Sequence, residues 1–485
     1  MTAAPLRLYT GYAATVLLCL GGAIATGHYW IAGLPLLLVA VGQAVLDIRL
    51  FFWLLVVVIP LGTEISLPGG VGTDLPTEPI AVALTAWLVL HAARHWPAYD
   101  ARTFLHPVAL LLYLHVAWIV VASGFGELKV LSFKFTLAKL WYVGAFFLVP
   151  LLLLRTPRAV RRFAYLFFWP LLFVAVQTLI RHAGYGFSFA DQFRTLSPFM
   201  RNHVAYAGCL ATFTPWLVYL IWHRRRQGQS WQWLTYLVLP LWTAALFFSY
   251  TRAAYVSLAL AGGAFLLLRW RLLRPALVVG FVAALGVAVY LVYDHNYLDY
   301  APNYDTTISH REFDDLLSAT YQLEDISTME RFYRWVAGGN MVPYRPLTGF
   351  GPSNFVELYP SYTNNNFETY VSDNPERSGI HNYFLMTLVE QGYPGLFFLL
   401  LFFGGIFYFG EDLYRRQTDP DARAAIAAGL MAVVVVTAFS LINDLLETDK
   451  VGSLFFTSTA IVITMGLYRS PTPPRSPSGT LPPGY

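Results

Sequence analysis

Long uninterrupted blocks of apolar residues decide most of what this chain can become. Leu105–Val121, Phe163–Ile180 and Leu396–Phe409 contain no Asp, Glu, Lys or Arg. Runs of about 17–25 apolar residues match the ~30 Å hydrocarbon layer of a bilayer. Inside lipid every backbone N–H and C=O must be paired without water, which leaves helices or closed barrels. Barrel strands alternate apolar and polar faces; these blocks are continuous, so they predict helices. Composition agrees, with 56% hydrophobic and 12% charged residues in 485, against about 25% charged in a soluble domain. The expected fold is an all-α polytopic membrane protein of about 12–14 transmembrane helices with one large extracytoplasmic loop.

Fourteen spans are expected, at 8–26, 30–46, 50–63, 79–93, 105–122, 135–154, 163–181, 203–222, 232–249, 252–268, 275–293, 394–410, 424–442 and 451–468. Arginine clusters orient them. Arg155, Arg158, Arg161 and Arg162 share one connection, Arg224–Arg226 a second, Arg269, Arg271 and Arg274 a third, and Arg415, Arg416 and Arg423 a fourth. All four fall on one side, which the positive-inside rule makes cytoplasmic, together with both termini. Trp30, Trp53, Trp222, Trp231 and Trp270 flank spans as an aromatic belt would. The first apolar run leads straight into a second, so no cleavable signal peptide is expected. Cys19 and Cys209 fall inside spans, with no evident redox or metal partner.

The chain thus divides into N-terminal transmembrane helices (1–293), a large periplasmic loop (294–380), an interfacial helix with C-terminal transmembrane helices (381–469), and a Pro- and Ser-rich cytoplasmic tail expected to be disordered (470–485). The loop opens acidic, with Asp294, Asp299, Asp305, Glu312, Asp314, Asp315, Glu324, Asp325 and Glu330. A helical pattern spans Glu312–Ala337, and Gly and Pro dominate from Gly338 to Pro352. No internal repeat is visible, which counts against a transporter of duplicated halves.

Four polar groups gather on the outer side. Arg252 stands in F-F-S-Y-T-R-A-A-Y, at a tight turn between spans. It is either a snorkelling interfacial arginine or, since arginines are biased inward, an anion site. Arg194, Arg201, Asn202 and His203 lie in D-Q-F-R-T-L-S-P-F-M-R-N-H, where the chain re-enters the membrane. That is either a polar re-entry loop or a phosphate site built on a helix N-terminus. Arg331 and Arg334 share a helix face in R-F-Y-R-W-V-A-G-G-N. For Arg334 a solvated ion-pair face with Glu330 or Asp325 is the simpler alternative. Downstream, P-L-T-G-F-G-P-S-N-F marks a tight turn at Gly349 and Gly351. Last, S-G-I-H-N-Y-F-L-M-T-L-V-E-Q-G-Y-P-G carries His381 and Asn382 at the head of a short interfacial helix ending near Gln391. His381 is either structural, a general base, or a neutral hydrogen-bonding group.

In this order the segments resemble the O-antigen ligase and polymerase superfamily of bacterial envelope glycosyltransferases. T-R-A at the start of a span, the arginine-bearing loop helix, P-L-T-G-F-G-P-S-N-F and H-N-Y-F…E-Q-G-Y-P-G carry the resemblance over about 250–410. The chain departs in two places: about two more spans than the usual twelve are expected, and R-N-H-V-A-Y-A stands where relatives often carry asparagine-proline-asparagine. The resemblance implies a metal-independent transferase without cofactor, at the outer face of the inner membrane. Its donor would be a glycan on undecaprenyl diphosphate. The acceptor would be a lipid A-core sugar, another glycan or a protein, with no nucleic acid involved. Arg252 and Arg331 would bind the diphosphate, and His381 would stand beside the acceptor hydroxyl. Arg194, Arg201, Asn202, His203, Arg334 and Asn382 would contact diphosphate or glycan. No His/Cys cluster of ligand spacing suggests a metal.

An O-antigen ligase-like activity is therefore the leading expectation, followed by a repeat-unit polymerase and a protein O-oligosaccharyltransferase. A lipid-glycan transporter would place charges near the bilayer midplane, whereas most spans here are charge-free. A scaffold of an envelope assembly is the remaining class.

Overall fold

A computed structural model describes residues 11–12, 14–22, 35, 47–67, 71–228, 232–294, 296, 326–364, 372, 374 and 377–470. Thirteen helices organise it. They are α1 (Ile48–Val58), α2 (Thr77–His95), α3 (Pro107–Phe125), α4 (Lys129–Leu153), α5 (Pro157–Ala183), α6 (His203–Arg226), α7 (Gln232–Phe247), α8 (Arg252–Trp270), α9 (Leu273–Val292), α10 (Ile326–Met341), α11 (Tyr383–Arg416), α12 (Pro420–Ser440) and α13 (Asp449–Leu467). The protein is an all-α polytopic membrane protein.

Local chemistry sets the helix starts. Thr156, Asn202, Asn382 and Asp419 accept backbone N–H groups of the first turns of α5, α6, α11 and α12, and Pro157 and Pro420 follow two of these caps. Each side-chain oxygen meets one of the donors a helix start leaves unpaired. Among the described residues, nine helices are long and apolar enough to cross a bilayer, against fourteen expected. The five others have separate causes. The second expected span falls almost wholly outside the described residues, and of the first only residues 11–12 and 14–22 are described, a stretch too short to cross a bilayer. The third and ninth form the shorter apolar helices Ile48–Leu61 and Thr235–Phe247. The fourth is α2, which carries Glu78, Arg94 and His95. One feature was not anticipated: an antiparallel hairpin, β1 (Thr63–Leu67) and β2 (Val71–Leu75), between α1 and α2. The helical pattern expected from Glu312 appears from Ile326; residues 312–325 lie outside the described set, as does the tail beyond Ser470.

α13 is the centre and is almost wholly buried, while α9 is peripheral and almost wholly exposed. Lipid tails are as apolar as leucine, so helices join through close fit and a few polar ties, not through hydrophobic contrast. Gly429 of α12 supplies the fit, since a Cβ there would stand 3.0 Å from the Ser458 carbonyl of α13. A π-turn at Gly144–Leu148 interrupts α4. Thr457 donates to the Phe146 carbonyl at 3.0 Å, and Thr85 to that of Trp141 at 3.1 Å. Neighbouring hydroxyls thus meet carbonyls that a broken helix frees.

The four arginine clusters meet at one end of the bundle. Arg161 and His223 both pair with Asp421, the latter at 2.8 Å, and Arg415 donates to the Arg271 carbonyl at 3.0 Å. The alternation read from the sequence is thereby consistent across the helices that join them.

At the opposite end, α11 bends at Gly392, whose φ of 71° is left-handed. The bend separates an initial turn region from the long apolar stretch, as the expected interfacial helix requires. Gly349 is also left-handed, at φ 65°, and a Cβ there would press into the backbone of Glu390 and Gln391. Gly349→Ala is expected to destabilise the protein by at least about 1–2 kcal/mol, the cost of a left-handed residue alone. Gly339→Ala, with nothing within 4 Å of its Cβ, should not. Thermal unfolding of the detergent-solubilised variants, followed by tryptophan fluorescence, checks both.

Candidate functional site

Two of the glycine-containing motifs form one structure. Phe350 and Gly351 donate their N–H groups to the Val389 and Glu390 carbonyls at 3.0 and 2.9 Å, and Tyr393 donates to the Pro346 carbonyl at 2.8 Å. The buried Glu390 carboxylate returns the grip, accepting from Ser353 N at 2.8 Å and Phe355 N at 3.1 Å. α3 and α4 brace the turn from the other side. Trp118 donates to the Gln391 carbonyl at 2.8 Å, and Ser132 to the Pro352 carbonyl at 3.1 Å.

α10 is seated on this base. Its Trp335 donates to the Ile380 carbonyl at 2.9 Å, and Gly338 leaves room for the Ile380 side chain. Arg331 and Arg334 are thereby brought to His381. His381 itself is left-handed at φ 56°, a conformation that costs a histidine roughly 1–2 kcal/mol. Asn382 caps α11 immediately after it, accepting from Leu385 N at 3.0 Å. Burial first, then the Arg331 and Arg334 guanidinium groups, lower the His381 imidazole to about 3. The ring is therefore neutral at ordinary pH. Among the described residues its buried Nδ1 meets no hydrogen-bond partner.

Arg331 acts electrostatically on His203 as well as on His381, which places the start of α6 in the same neighbourhood. Thr251, the residue before Arg252, donates to the His203 carbonyl at 3.4 Å. The starts of α6 and α8, the arginine face of α10 and the start of α11 thus converge. Asn202 caps α6 through Ala205 N at 2.8 Å, and Arg201 is exposed beside it.

Two candidates stand differently from expectation. Arg334 is not on a solvated face: it is buried at 6% exposure, paired with Glu330 at 3.1 Å, while Ser372 donates to the other Glu330 oxygen at 2.8 Å. Tyr333, Val336 and Phe355 form a small core around this helix, so the pair has nowhere polar to go. Arg194 forms an exposed pair with Asp191 at 3.1 Å and stacks on Phe193. Among the described residues no contact joins it to the others.

A polar group that the sequence motifs did not reveal lies just behind. Lys139 of α4 grips both oxygens of Glu447 at 2.5 and 2.7 Å, and the Tyr383 hydroxyl donates to the same carboxylate at 2.5 Å. Asp444, on the same connection between α12 and α13, is within electrostatic reach of Arg201 and Arg334. The available signal was the lone lysine inside an otherwise apolar span, which is costly unless paired.

Two comparisons bear on this arrangement. Residues 235–400 match the family described as O-Antigen ligase. That stretch contains Arg252, Arg331, Arg334, His381 and both halves of the clamped turn, and ends before Asp444 and Glu447. No curated protein matches the chain.

Breaking a buried ion pair from one side strands the other charge, so Lys139→Met should cost about 3 kcal/mol, with Lys139→Met/Glu447→Gln restoring most of it; chemical denaturation of both variants measures this. His381 adds a pH dependence. Between the unfolded value near 6.5 and the folded value of about 3, only the unfolded state binds the proton. Stability is therefore complete above pH 6.5 and falls as pH drops, by up to about 1.4 kcal/mol per unit. His381→Gln should flatten that slope in a pH series of unfolding curves.

Proposed function

Because residues 235–400 match the O-Antigen ligase family, we propose that the chain is a member of that superfamily and transfers a glycan from undecaprenyl diphosphate to an acceptor hydroxyl, of the lipid A-core type or another, at the periplasmic face of the bacterial inner membrane. The observation that carries this reading is the convergence of Arg331 with His203, His381 and the Thr251–Arg252 turn, at the end opposite the four paired arginine clusters. A compartment without nucleotide sugars needs a lipid-linked donor, and such a donor arrives in the bilayer with its diphosphate at the interface. Arg252, Arg331 and Arg201 meet that diphosphate, with the N-terminus of α6 adding backbone N–H groups.

In the transfer, an acceptor oxygen attacks the sugar C1 and the C1–O bond to the diphosphate breaks. The departing lipid diphosphate gains negative charge. Arginines already in place stabilise that charge without reorganisation, and one such interaction is worth about 3 kcal/mol. The neutral His381 ring donates to or accepts from the acceptor hydroxyl and orients it. A repeat-unit polymerase would use the same donor half of the site and differ in what occupies the acceptor half.

The test is transfer in proteoliposomes containing the full-length protein, the undecaprenyl diphosphate-linked glycan extracted from the producing cells, and their outer-envelope glycolipid. Arg252→Ala, Arg331→Ala and His381→Ala are each expected to reduce transfer by about 100-fold or more. Full activity in all three would sink the site assignment. Donor that crosses the bilayer unconsumed would favour transport instead.

A further inference from the structure

The acceptor hydroxyl must lose a proton as it attacks, and the functional reading above leaves the recipient unassigned. The bookkeeping is simple: the acceptor O–C1 bond forms, the C1–O bond to the diphosphate breaks with its electron pair leaving on the lipid diphosphate, and one proton is released. His381 is poorly placed to take it, because an imidazolium there would face both Arg331 and Arg334. A carboxylate is the natural alternative, and most nearby ones are committed. Glu390 accepts two backbone N–H groups. Glu447 is held by Lys139 and Tyr383. Glu330 is held by Arg334 and Ser372, and Glu127 by Arg345 at 2.9 Å.

Asp444 differs. Among the described carboxylates around His381, it takes no hydrogen bond or close ion pair from another side chain. It packs against the chain two residues before His381: its Oδ2 lies 2.5 Å from where a Cβ on Gly379 would stand. Glycine at 379 is what admits the carboxylate to this place. The groups facing it are Arg334 on α10, Arg201 before α6, Tyr383 and Glu390 on α11, and Glu447 on its own connection. Like His381, it keeps part of its surface exposed, so a small polar group can reach it.

We propose that the Asp444 carboxylate takes the proton of the attacking acceptor hydroxyl, while neutral His381 orients that hydroxyl. The proton moves from the acceptor oxygen to Asp444 as the bond to C1 forms, and passes to water when the product leaves. Burial raises the Asp444 carboxyl above the ordinary aspartate range, against the pull of Arg201 and Arg334, which suits a proton acceptor.

The proteoliposome assay, run beside binding of undecaprenyl diphosphate itself, decides the matter. Asp444→Asn is expected to lower turnover by about 100-fold, leave undecaprenyl diphosphate binding within about twofold, and abolish the acidic limb of the pH–rate profile. Asp444→Glu should keep an acidic limb. Gly379→Ala, which pushes on the carboxylate without removing it, should lower turnover at unchanged binding. If Asp444→Asn does not fold, these two variants carry the test by the same measurements. A fall in turnover of less than tenfold overturns the proposal. So does a parallel loss of undecaprenyl diphosphate binding, which would make Asp444 a counter-ion of the arginines. A wild-type protein that binds undecaprenyl diphosphate but transfers nothing refutes the functional reading and this assignment with it; a working wild type with an equally active Asp444→Asn refutes the assignment alone.

Discussion

A carboxylate sealed inside a protein is tolerable only when its lone pairs are met, and Glu390 meets them with the backbone of a different segment. Ser353 N and Phe355 N close on its two oxygens, while the Phe350 and Gly351 N–H groups take the carbonyls beside it. Neither partner could hold its shape alone. The turn would lose the acceptors that order it, and the bend at Gly392 would expose carbonyls with nothing to bind. Everything at this end is hung from that joint. α10 rests on it, Ile380 is fixed by Trp335 of α10, and His381 follows one residue later.

Arginine gathers at both ends of the bundle. Where the four clusters meet, several of their arginines have carboxylate partners: Asp421 takes Arg161, and the fully buried Glu411 sits between Arg274 and Arg415. At the other end, burial first and then the charges of Arg331 and Arg334 keep His381 neutral despite the Glu330 pair. The arginine charge that repels a proton from imidazole also attracts a diphosphate. Only this arginine share of the effect favours an anion; the burial share opposes any charge.

Much of this was visible in the sequence, and the rest was hidden for definite reasons. Apolar block length located most spans, because the bilayer sets a single length scale. Glycines at 349, 351 and 392 marked bends, because few other residues adopt those angles. The union of the two motifs could be suspected only from their order, since no local rule states that residue 353 will cap residue 390. Burial of Arg334 was invisible because its pattern with Glu330 also fits a wet helix face. Lys139 and Glu447 are 308 positions apart, beyond any periodicity argument. Asp444 sits in a short connection of ordinary composition, and only the glycine facing it gives it away.

The clamp also dictates an order of assembly. Ser132 reaches Pro352 across 220 positions, and Trp118 reaches Gln391 across 273. Contacts of such separation close late, after the entropy of the intervening chain has been overcome. The segment bearing Arg331 therefore cannot settle until α11 has been synthesised and inserted. A ribosome stalled before that point would leave a chain with most of its spans in the bilayer and the helix bearing Arg331 unseated.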